Sequence, residues 1–212
     1  MSDQVFTHSK SLIQNQKMEA TIKIPQQKEP EATLSIDPKK FILWLFIVSI
    51  VMLFASQTSA YLVRRAEGNW LEFQMPVIFW YSSVALLLSS ISMHWAYLSA
   101  KKDNFTQLKT AISVTFVLGL AFLWMQFQGW REMVDMKVYF VGNPSGSFLY
   151  VFTGLHAFHL ISGLIVLLLA LVSAFRFKVH AKNLRRIEIC AVYWHFLDFL
   201  WIYLFVFLLT FN

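Results

Sequence analysis

Residues 147–175 read SFLYVFTGLHAFHLISGLIVLLLALVSAF, a run with no Asp, Glu, Lys or Arg. As a helix rising about 1.5 Å per residue it is about 43 Å long, more than the ~30 Å of hydrocarbon in a bilayer requires. Thr153, His156 and Gly163 fall near one face, with His159 just beside it, at the three-to-four spacing of a helix. A segment that is apolar all round except for a few polar and small residues on one side is a membrane helix with neighbours.

Four more segments extend the pattern. Phe41–Val63 and Thr110–Trp130 carry no charge, Pro76–Ala100 opens on a helix-starting proline, and Ile189–Phe211 carries one acid, Asp198, near its middle. The whole chain is 57% hydrophobic and 14% charged, against about 45–50% and about 25% in soluble domains. Mean hydropathy is +0.54. There is no strand-like alternation and no internal repeat, which excludes a membrane barrel and a repeat-built transporter. The expected fold is an all-α membrane protein, a bundle of five transmembrane helices over residues 41–212 with spans near 41–63, 76–100, 110–130, 147–175 and 189–211. Residues 1–40 are rich in Gln, Lys, Glu, Ser and Thr and are expected to form a mobile polar tail that ends on Asp37 and Pro38, a helix-starting pair.

Charge placement orients the bundle. Lys39, Lys40, Lys101, Lys102, Lys109, Arg176, Lys178, Lys182, Arg185 and Arg186 fall on one side, whereas Arg64, Arg65, Arg131 and Lys137 on the other are mixed with acids. The positive-inside rule predicts a cytoplasmic N-terminus, an external C-terminus and residence in the cell (inner) membrane. The net charge of +6 therefore reflects topology and does not imply nucleic acid. Cys190 is the only thiol, so an internal disulfide and a two-thiolate copper centre are excluded.

The intramembrane polar residues carry the functional question. His156 and His159 could hold a metal or haem only with further ligands, and His94 and His195 supply no evident second pair. The other reading is that they bond neighbouring helices. In Tyr193–Trp201, YWHFLDFLW, the residues His195 and Asp198 share a face with Glu188 and lie near enough to bond each other. That face could relay protons or hold a register. Gln126, Gln128, Trp130 and Arg131 read as boundary anchors, and Arg176 and Lys178 suit anionic lipid headgroups.

Two motifs point to a family. Gly146-Ser147-Phe148 leading into TGLHAFHLISG, and Glu188 leading into YWHFLDFLW, resemble the last two helices of subunit III of the cytochrome c and quinol oxidases. Ser92-Met93-His94-Trp95-Ala96, Leu118-Gly119 and Gln126 are further points of resemblance. The resemblance implies a short, five-helix form of a subunit that is not itself catalytic. It binds neither haem nor copper, which reside in partner subunits, and it holds structural phospholipids. Its partners would be oxidase subunit I, other oxidase subunits, membrane lipid and, in some assemblies, a respiratory supercomplex, within an enzyme that reduces oxygen and pumps protons. By the same resemblance Arg176 and Lys178, with His156 and His159, are the candidate lipid-binding residues. Glu188, His195, Asp198 and Gln126 are the candidate buried structural groups. Two departures stand out. A Ser-Glu-Val-type string appears here as Ser49-Ile50-Val51, and the usual Gln-x-x-Glu runs from Gln126 to Gly129 without the acid. Both losses favour a scaffold. The rival expectations are an accessory subunit of nitric oxide reductase and a small proton channel or transporter.

Overall fold

A computed structural model describes residues 37–175 and 185–211. Five helices account for nearly all of them: α1 (Pro38–Ala66), α2 (Val77–Lys101), α3 (Phe105–Asp135), α4 (Pro144–Phe175) and α5 (Arg185–Phe211). All five are long and apolar enough to cross a membrane. Each overlaps an expected span and most run several residues past it, because a helix continues through the interfacial layer until something stops it. Asn104 caps α3 by accepting the Gln107 amide at 3.3 Å. Pro76 differs from expectation by one position: with ψ 139° it is extended and precedes the first turn of α2. Arg176, Lys178 and the tail at 1–36 lie outside the described residues.

Helices α2, α3, α4 and α5 form a closed ring in which each touches the next and α5 returns to α2; α1 leans on α4 and α5. Consecutive helices in the ring are antiparallel. α1 and α5 are parallel, since Lys40 reaches Glu188 at 2.8 Å at one end and the Tyr61 hydroxyl donates to the Phe211 carbonyl at 3.0 Å at the other. α1 buries Ile47, Ile50, Phe54, Thr58 and Tyr61, a single stripe at helical spacing. α5 is buried along most of its length, which matches its place between the ring and α1.

Lipid tails are as apolar as leucine, so expulsion from water does not hold such helices together; close packing and interhelical hydrogen bonds do. Glycines provide the close approach. A Cβ at Gly119 would lie 2.8 Å from the Trp194 ring and 2.9 Å from Leu164, and one at Gly163 would lie 2.8 Å from Leu197. Gly129 backs onto Phe79 in the same way, 2.9 Å from a Cβ to its ring. The position where the related acid was missed is thus closed by an aromatic ring. Ile50, in the other departing string, is buried at 2% exposure. An aromatic cap of Tyr61, Trp70, Phe148, Phe152 and Phe207 closes one end, with Tyr61 4.7 Å from Trp70 and 5.1 Å from Phe207 between ring centres.

Candidate functional site

The polar residues of the two motifs meet inside and along the ring, and α2 supplies most of their partners. Ser82 and Ser83 each donate a hydroxyl proton to the Phe79 carbonyl, at 2.9 and 2.8 Å. That satisfies the proton within the helix and leaves the oxygen lone pairs pointing outward as acceptors. Ser83 accepts the Trp201 indole N–H at 2.9 Å, Ser82 accepts Gln126 Nε2 at 3.2 Å, and Ser89 accepts the Trp194 indole at 2.9 Å. Trp194 and Trp201 are seven residues apart on α5 and their acceptors Ser89 and Ser83 six apart on α2, so about two turns of α5 clasp about two turns of the antiparallel α2. A third indole, Trp130 on α3, donates to Thr153 Oγ1 on α4 at 2.9 Å, and Thr153 passes its own proton to the Leu149 carbonyl at 2.8 Å. Between α4 and α5, the Tyr193 hydroxyl bonds Ser162 Oγ across 2.7 Å, and both hydroxyls reach the His159 carbonyl, at 3.4 and 2.6 Å.

The α4 histidines are enclosed. His156 is fully buried against Phe122 and Trp201, with ring centres 5.8 and 5.1 Å away, and neither of its nitrogens has a hydrogen-bond partner among the described residues. His159 donates Nδ1–H to the Leu155 carbonyl one turn back, at 2.8 Å, and packs beside Phe54 of α1. Both rings, expected to bind lipid, are buried, His156 at 0% and His159 at 8% exposure. Nor do they converge with further ligands: among the described residues no group of three His, Cys, Asp or Glu is placed to hold a metal.

On α5 the expected residues separate. Asp198 is 4% exposed and Gln126 is 1% exposed. Glu188, expected to be buried, retains 37% of its side-chain exposure and bonds Lys40 at 2.8 Å. It lies in the first turn of α5, where the helix N-terminus favours an acid. His195 does not bond Asp198. Its Nδ1 is 2.7 Å from Ser90 Oγ on α2, and both Asp198 oxygens lack a hydrogen-bond partner among the described residues. Ser90 also lies close enough to Asp198 to interact with it, but only the contact with His195 has hydrogen-bond geometry. The fold brings His94 of α2 to 6.2 Å from His195 between ring centres, a pairing that spacing along one helix could not reveal.

Among the described residues these side chains join one helix to the next by hydrogen bonds. The family model for cytochrome c oxidase subunit III matches residues 69–212. The chain is 28% identical to cytochrome c oxidase subunit 3 of Bacillus sp. (strain PS3), over 85% of this chain and 89% of that protein. It is 30% identical to cytochrome bo(3) ubiquinol oxidase subunit 3 of Pseudomonas aeruginosa, over 76% of this chain and 79% of that one. Against cytochrome c oxidase subunit 3 of Petromyzon marinus, 31% identical over 63% of this chain, it spans only 49% of the relative's length. With a motif-bearing core of cross-helix bonds and a family match over most of its length, this multi-pass membrane protein belongs to the subunit III family of the haem–copper oxidases.

Proposed function

We propose that the chain is a scaffold: it packs against the catalytic subunit of a respiratory oxidase that reduces oxygen and pumps protons, and supplies neither haem nor copper. The observation that carries this reading is the use made of the motif side chains. Trp194, Trp201, Tyr193, Thr153 and Gln126 all bond across helices. Held this way, the four helices of the ring act as one stiff body against which a larger subunit can settle with little ordering cost.

The N-terminus lies in the cytoplasm and the bundle in the cell membrane, on the strength of the basic residues at the start of α1, the end of α2 and the start of α5. Arg176 and Lys178, following α4 on that side, bind anionic phospholipid headgroups. Cytochrome c oxidase subunits or quinol oxidase subunits should co-purify with the tagged chain in mild detergent, and the isolated complex should show haem absorption. Recovery of a nitric oxide reductase core, or of the chain alone, would contradict the proposal.

A further inference from the structure

His94 is exposed and His195 half-buried, yet both lie at hydrocarbon depth. His94 is about 8 Å along the axis from the midpoint of α2 and His195 about 5 Å from that of α5, well inside the ~15 Å half-thickness of the apolar layer. A polar group facing lipid at that depth is costly, and side chains usually avoid the cost by bonding their own helix. Ser56 gives its proton to the Leu53 carbonyl and Thr110 to the Thr106 carbonyl. His159 shows that an imidazole can do likewise. His94 and His195 make no such bond.

Ser90 occupies one ring nitrogen of His195, its Oγ lying 2.7 Å from Nδ1. The other ring nitrogen, Nε2, has no hydrogen-bond partner among the described residues. Around it the surface is apolar and bulky: Ile91 is 68% exposed, Trp95 45% and Phe199 73%. A polar atom framed by large apolar side chains is the plan of a helix-packing contact, in which apolar area surrounds one buried hydrogen bond.

We propose that the α2–α5 face around His94 and His195 is the surface on which a helix of another membrane polypeptide docks, bringing a hydrogen-bonding side chain (an amide or hydroxyl, each able to donate and to accept) to His195 Nε2. The partner is a subunit of the oxidase, a step that rests on the assembly reading above. On this geometry the ring of four helices turns its one outward-facing polar cluster of α2 and α5 toward the complex and leaves the opposite face, on α3 and α4, to lipid.

The test uses the full chain in the detergent-solubilised complex, with the photocrosslinking residue benzoylphenylalanine at Ile91 or Phe199. Leu169 of α4 and Trp124 of α3, each 65% exposed, serve as controls. Illumination should join positions 91 and 199 to a second polypeptide and positions 169 and 124 to lipid. His195→Leu should lower the adduct yield about threefold, the weight of one interhelical hydrogen bond in a bilayer, whereas His195→Gln, which keeps both a donor and an acceptor, should preserve it. If oxidase subunits co-purify but 91 and 199 capture only lipid, the docking face is wrong and the assembly reading survives. If no oxidase subunit co-purifies, the assembly reading fails and the docking proposal falls with it.

Discussion

Trp201→Ala is expected to be the most damaging single truncation in the bundle. The indole is 1% exposed, donates to Ser83 at 2.9 Å, and packs edge-on to Phe122 with ring centres 5.0 Å apart and against His156 at 5.1 Å. Removing it opens a cavity at the junction of α2, α3, α4 and α5 and leaves the ring of His156 without its cover. In soluble cores such a change costs about 3–5 kcal/mol. Here the expectation is the lower part of that range, because the reference state is helices in lipid, where an exposed indole is not penalised as in water. Trp201→Phe should recover most of the packing and lose only the hydrogen bond, about 0.6 kcal/mol. Thermal unfolding in detergent, followed by tryptophan fluorescence or loss of the monodisperse peak, ranks the three proteins. A Trp201→Ala protein as stable as Trp201→Phe would refute the clasp.

Gly119→Leu should be as harmful from the opposite direction. A Cβ alone already comes within 2.8 Å of Trp194 and 2.9 Å of Leu164, so three further carbons must push α3 away from α4 and α5. Overpacking of this kind costs about 1–3 kcal/mol in soluble cores and sometimes more; a helix that depends on close approach falls at the upper end. Gly154→Leu is the matched control, because the nearest atom to a Cβ there is Trp130 at 3.9 Å. The same measurement should show a large drop at position 119 and little change at 154. Equal effects would mean that helix propensity, and not helix approach, governs these glycines.

Much of the fold was legible because hydrocarbon thickness is a hard constraint on sequence. Five apolar runs of sufficient length appear as five helices, and the Asp37-Pro38 pair stands where α1 begins. What escaped the reading depends on which helices become neighbours. Lys40 and Glu188 are 148 positions apart and meet only because α1 and α5 run parallel. His94 and His195 looked unrelated for the same reason. The expected His195–Asp198 bond was a sound inference from spacing on one helix, overruled by a serine on another. Equally, the contacts of His156 with Phe122 and Trp201, and of His159 with Phe54, join different helices and could not be read from spacing along α4. One signal was available and unused. Serines at 82 and 83, then 89 and 90, recur about two turns apart on α2, close to the spacing of Trp194 and Trp201 on α5. Hydroxyl acceptors and indole donors recurring at similar intervals on two helices are what an interhelical clasp requires.

The central claim is that these side chains hold helices and a neighbouring catalytic subunit together without taking part in redox chemistry. Its most direct test is the lifetime of the oxidase during sustained turnover, with and without this chain. The complex purified from a deletion strain should keep its haem spectrum and its initial oxygen-reduction rate and lose activity faster as turnover continues. A changed haem spectrum, or an unchanged lifetime, would contradict the claim.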